Sequence, residues 1–128
     1  MQHARILLVD DDPGCLESLK ACFLAHGHVV DTAADPDEGF LMLQMSRSPY
    51  DILVTDFEMP GRNGVDLFLV CRTIYPEIEG ILVSGALTDE RRAIATQSGM
   101  LAALHKGRDC DTLMSLVECV LMSEQTDA

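Results

Sequence analysis

The sequence predicts an α/β domain: a doubly wound, five-stranded parallel sheet of order 2-1-3-4-5, with helices on both faces. Three observations lead there. Short apolar runs alternate five times with segments of helical periodicity. The runs are apolar throughout instead of alternating, as befits strands covered on both sides. No linker, repeat or low-complexity stretch interrupts the alternation. Right-handed crossovers leave few topologies for such a pattern. With 128 residues, 48% of them hydrophobic, the chain has material for one core and needs no disulfide staple.

The elements follow in order. Arg5-Ile6-Leu7-Leu8-Val9 is the first strand, stopped by Asp10-Asp11-Asp12-Pro13. Pro13 suits a first helical turn, with Asp12 as its cap. Cys15, Leu19, Cys22 and Phe23 recur at helical spacing, and Gly27 is a helix stop. His28 to Thr32 reads as the second strand, and Pro36 to Met45 as a helix broken at Ser48-Pro49. Ile52-Leu53-Val54-Thr55 is the third strand and ends at Asp56. A loop through Met59-Pro60-Gly61 and Gly64 leads to a helix over Val65 to Tyr75, closed by Pro76. Gly80 to Val83 is the fourth strand, ending at Ser84-Gly85. Thr88 to Ser98 is helical with Gly99 as its stop. Leu101 to His105 is the fifth strand, ending at Lys106. Cys110 to Met122 is the last helix, with an apolar stripe from Leu113 through Leu116, Val117 and Val120 to Leu121.

The net charge is −12. That excludes non-specific nucleic-acid binding and docking to an anionic membrane. It favours clustered acids that hold a cation. No apolar run approaches the ~20 residues of a membrane span, and no secretory leader is evident, so a cytoplasmic location is expected. Five cysteines, an odd number without a CxxC pair, are expected to be small apolar fillers in a reducing compartment.

In a sheet of this order the site lies beyond the carboxyl ends of the strands. Asp10 and Asp11, Asp56, Ser84 and Lys106 each end a strand and so share one edge. Carboxylates this close repel one another, so a hard cation must lie among them or some must take up protons. Mg²⁺ suits a few carboxylates while keeping room for a phosphoryl oxygen. A carboxylate there can attack phosphorus, and the ammonium and hydroxyl supply donors to the phosphoryl oxygens.

Ile6-Leu7-Leu8-Val9-Asp10-Asp11-Asp12-Pro13, then Asp56-Phe57-Glu58-Met59-Pro60-Gly61 with Asn63-Gly64, then Ser84-Gly85, then Lys106 resemble the receiver domain of two-component response regulators. The resemblance covers nearly the whole chain, so residues 1–128 read as a single, flavodoxin-like receiver domain, either of the stand-alone, chemotaxis-regulator kind or a piece of a longer regulator. It implies a phosphoacceptor signalling module of a two-component system or phosphorelay, and not an enzyme beyond self-catalysed phosphotransfer and autodephosphorylation. By resemblance Asp56 accepts phosphate from a sensor histidine kinase or a histidine phosphotransfer protein. Asp11 binds Mg²⁺ directly, Asp10 through water, and the carbonyl of Glu58 completes the protein ligands with Asp56. Ser84 bonds the phosphoryl group and reports it, and Lys106 pairs with it. Asp12 belongs to the helix start.

Two positions depart from the family. Gly107 follows the lysine where proline with a cis peptide is usual, so no cis bond is expected. Ala103 stands where an aromatic switch residue is common, so the usual swinging ring has no counterpart. Leu16 occupies a commonly polar position that faces the phosphodonor. It leaves the Cys15-Leu19-Phe23 stripe and either anchors a partner helix or packs on a neighbouring loop. Two other functions compete. One is a phosphorylation-independent pseudo-receiver, which the two departures favour. The other is a haloacid-dehalogenase-type phosphatase, suggested by Asp10-x-Asp12. That family needs a further acidic motif on a later strand, where this chain offers only Asp109 and Asp111 near the start of the final helix.

Overall fold

Branched and aliphatic residues at Arg5–Val9, Val29–Ala33, Ile52–Thr55, Glu79–Ser84 and Ala102–His105 form strands β1 to β5. All pair in parallel, in the order β2-β1-β3-β4-β5. A computed structural model describes residues 3–108 and 110–126. Asp109 lies outside the described residues. The helices between and after the strands are α1 (Pro13–Ala25), α2 (Pro36–Met45), α3 (Gly64–Ile74), α4 (Asp89–Gln97) and α5 (Cys110–Thr126).

The pleat sends successive side chains to opposite faces. Ile6, Leu8, Ile52, Val54, Ile81, Val83 and Leu104 face a core completed by Phe23 of α1 and by Leu113, Val117 and Leu121 of α5. Leu7, Val9, Leu53, Leu82 and Ala103 face a second core with Leu43 of α2, Val65 and Phe68 of α3 and Ala95 of α4. Each strand is thus buried on both sides, which accounts for the continuous apolar runs.

Polar residues start most helices. Asp12, Asp35, Asn63 and Thr88 sit in extended conformation, and their side chains accept from backbone amides of the first turn. Gly27 and Gly99 follow α1 and α4 with φ of 84° and 95°, the left-handed conformation that ends a helix without a Cβ penalty.

Some boundaries differ from the sequence reading. The second strand runs Val29–Ala33, one residue later than expected, because Val29 pairs with Arg5 and its amide donates to the Ala4 carbonyl. His28 instead lies buried before the strand, where its Nδ1 accepts from the Ala4 amide at 3.0 Å. The last helix continues beyond Met122 to Thr126.

The stripe on α1 is also corrected. Leu16, Leu19 and Cys22 pack on the core around Phe23, whereas Cys15 turns its thiol to Asp12 Oδ2 at 3.3 Å. The cysteines are not uniformly apolar fillers. Only Cys71 is buried; Cys15 and Cys22 are half-buried, and Cys110 and Cys119 are exposed. Because α1 and α5 share one face of the sheet, Cys22 and Cys110 meet.

Candidate functional site

The backbone ladder carries the site residues past the last strand pairs. Asp10 N donates to Ala33 O, Asp56 N to Val9 O and Lys106 N to Ser84 O, each at 3.1 Å. These bonds set Asp10, Asp56 and Lys106 at one edge, as the strand-end argument expects.

Lys106 Nζ stands 2.7 Å from Asp10 Oδ2 and 3.0 Å from Asp56 Oδ2. The other oxygens are also held: Asp10 Oδ1 accepts from the Asp12 amide at 2.9 Å, and Asp56 Oδ1 from the Phe57 amide at 2.7 Å. Asp10 is 1% exposed and Asp56 8%, while Asp11 is open to solvent. Carboxylate oxygens of Asp10, Asp11 and Asp56 lie within 4.8 Å of one another.

Burial raises the Asp10 carboxyl above its ordinary pKa, against the pull of Lys106 and the Asp12 amide. For Lys106 burial works against the charge, but hydrogen bonds to Asp10 and Asp56 outweigh it and its pKa rises. Three carboxylates against one ammonium leave two negative charges in a confined space, the charge a divalent cation cancels. An all-oxygen donor set suits a hard cation.

An open basin above these groups is lined by Asp11, Asp12, Asp56, Glu58, Met59, Pro60 and Lys106. Asp12 stands on its rim but is committed to the helix start, accepting from Gly14 N at 3.0 Å. Ser84 is buried at the end of β4, and its hydroxyl accepts from Ala86 N at 3.2 Å, which ties it to the loop that follows. Gly64 is required beneath the site, because a Cβ there would stand 2.0 Å from the carbonyl oxygen of Asp56.

Arg91 is the residue the sequence reading missed. In the run Asp89-Glu90-Arg91-Arg92 it reads, from the sequence, as part of a polar face that can re-pair at small cost. Its guanidinium instead lies 4.5 Å from the Phe57 ring centroid, donates to the Ala86 carbonyl at 3.0 Å and pairs with Glu58. It joins the segment after Asp56 to the segment after Ser84. No local pattern signals this, since the partners are 33 residues apart. Arg92 similarly donates to the Ala103 carbonyl at 2.6 Å. Ala103 itself is 1% exposed and belongs to the core beneath α3 and α4. Gly107 takes φ of 75°, and no cis peptide occurs among the described residues. Leu16 is half-buried against the α1–α5 core and not against a neighbouring loop.

A doubly wound sheet with three acids and a lysine at its carboxyl edge defines a class of signalling module, the receiver. The chain belongs to the response regulator receiver domain family, which matches residues 6–118. It is 32% identical to the transcriptional regulatory protein GlrR of Escherichia coli (strain K12) over 123 residues, 94% of this chain and 27% of the relative. The chain thus spans about a quarter of the length of that curated relative. Solved structures show the same fold. A response regulator receiver domain protein (CheY-like) from Methanospirillum hungatei JF-1 matches with a TM-score of 0.87 at 24% identity, covering 99% of this chain and 100% of that one. A receiver domain protein from Clostridium thermocellum matches with a TM-score of 0.89 at 23% identity, covering 98% and 99%. No helix among the described residues is long and apolar enough to cross a membrane.

Proposed function

We propose that the chain is a phosphoacceptor module in which Asp56 takes a phosphoryl group from a phosphohistidine of a sensor histidine kinase or histidine phosphotransfer protein. The observation that carries this is Lys106 Nζ bridging Asp10 and Asp56 beside the open Asp11. An Asp56 oxygen attacks phosphorus, the P–N bond breaks, and the imidazole leaves with the electron pair and takes up a proton. Lys106 is placed to give its hydrogen bonds to the incoming phosphoryl oxygens. Ser84, freed from Ala86 N, adds a hydroxyl donor.

Asp10, Asp11, Asp56 and the Glu58 carbonyl are the groups that would hold Mg²⁺, with Asp10 acting through water. The ion, when bound, neutralises charge on the transferring group. The half-buried Leu16 offers an apolar contact to the partner's helix. The working location of such a module is the cytoplasm, and it uses no nucleic-acid or membrane surface of its own.

The phosphatase alternative loses its second acid, because Asp12 caps α1. Intact mass after incubation with Mg²⁺ and acetyl phosphate tests the proposal. One phosphate should appear on wild type and none on Asp56→Asn. No added phosphate on either protein would favour a pseudo-receiver.

A further inference from the structure

The groove between α1 and α5, about 550 Å³, is lined by Cys15, Leu19, Cys22, Leu104, Lys106 and Cys110 among others. Cys22 and Cys110 face each other across it with their sulfurs 3.0 Å apart, although 88 residues separate them in sequence. Reduced sulfurs at that distance need to close by only about 1 Å to reach the ~2.0 Å of a disulfide bond. Cys110 is exposed and Cys22 half-buried, so an oxidant can enter at Cys110 and Cys22 is held to resolve. Cys15 lines the same groove but bonds to Asp12, and Cys71 is buried in the opposite core, so neither competes.

We propose that Cys22 and Cys110 form a reversible intramolecular disulfide that clips the start of α5 to α1, driven by exchange with a small-molecule disulfide such as oxidised glutathione. Cys110 thiolate attacks one sulfur of the oxidant, whose S–S bond breaks and releases one thiol. Cys22 thiolate then attacks the Cys110 sulfur, breaking the mixed disulfide and releasing the second thiol. Two protein thiols are oxidised, one external disulfide is reduced, and the two protons end on the released thiols. Before oxidation the hydrogen bond with Cys110 and burial push the Cys22 thiol up to about 11. Forming the mixed disulfide removes that hydrogen-bonded partner, which returns Cys22 towards ordinary reactivity for the second step. A transient bridge of this kind suits a cytosolic protein, where lasting disulfides are rare. The clip acts close to the phosphoacceptor edge, because Cys110 lies four residues after Lys106.

The test is native incubation of the full chain with oxidised glutathione, then alkylation under denaturing conditions and intact-mass analysis. Wild type should lose two of its five alkylatable thiols, with peptide mapping joining Cys22 to Cys110. The melting temperature should rise by about 10 °C, since the bridge closes a long loop, and return on adding dithiothreitol. Cys15→Ser should form the same bridge; Cys22→Ser, Cys22→Ala and Cys110→Ser should not. Asp56→Asn should also form it, so its outcome is separate from phosphate acceptance. Five alkylated thiols, glutathione adducts alone, or covalent dimers in place of the internal bridge would overturn the proposal.

Discussion

The carboxyl edges of β1, β3 and β5 and the segment from β4 through α4 are linked where Arg91 meets Glu58 and Phe57, yet they are held differently. At the first, a half-buried ammonium satisfies two buried carboxylates, and strand ladders set all three. At the second, the half-buried Arg91 and the exposed Arg92 reach across to backbone carbonyls and one ring. The chemical edge holds buried charge and is costly to disturb. The α4 side rests on partly solvated contacts that each contribute little. The difference teaches where a substitution does most damage: among the acids and lysine that share buried charge, and less at the arginine contacts of α4.

The most damaging way to break this contrast is Gly64→Ala. Its Cβ would collide with the Asp56 carbonyl and with the Thr55 side chain at 2.9 Å. Neither neighbour is a flexible end, so a loss of roughly 3 kcal/mol or more is expected. Urea denaturation measures it, and the folded fraction should take up phosphate poorly.

Lys106→Met should cost about 2–4 kcal/mol at neutral pH, because Asp10 is left buried without its cation. The sign of its pH dependence follows from the raised Asp10 pKa. The folded state holds that proton more tightly than the unfolded chain, so stability is favoured below the ordinary carboxylate value and lost as pH rises through the folded one. The variant should therefore recover stability relative to wild type as pH falls from 7 towards 5. Millimolar Mg²⁺ should raise its melting temperature more than that of wild type. An equal Mg²⁺ response would show that Lys106 and the cation do not share the same charge.

Arg91→Gln sharpens the comparison from the weaker side. Loss of the clamp should cost only about 1 kcal/mol. Amide exchange should quicken at residues 85–98 while residues 52–56 keep their protection. In wild type, beryllofluoride with Mg²⁺ should alter exchange at 56–61 and at 85–98, and Arg91→Gln should confine the change to the first. Changes confined to 56–61 in wild type itself would mean that no signal leaves by this route.

His28 is a control remote from both regions, with the smallest expected effect. Burial lowers its pKa, and its Nδ1 must stay unprotonated to accept from Ala4. The unfolded chain therefore binds that proton more readily. The His28 contribution is complete above the ordinary histidine value and is lost as pH falls through the folded one. His28→Asn keeps an acceptor without a titrating ring. Thermal melts between pH 7.5 and 5.5 should show a shallower decline for the variant than for wild type.

The strand ends, the cap of α1 and the residues of the receiver constellation were legible in the sequence because each is a local signal. An apolar run covered on both faces stops where the chain meets water, so Asp10, Asp56, Ser84 and Lys106 declare the edge by position alone. Asp12 announces its cap through Pro13 and the turn that follows, whereas Thr88, read as the first helical residue, caps α4 from outside it. Tertiary structure alone decided what the side chains do once they meet. Leu16, not Cys15, joined the inward face of α1, because neighbouring positions on one turn differ by only about 100° and the packing partner chooses between them. Lys106 took both Asp10 and Asp56, Arg91 crossed from α4 to Phe57, and Cys22 met Cys110 over 88 residues. Such contacts depend on which helices share a sheet face and how closely they pack, and periodicity along a chain carries no record of distances across it.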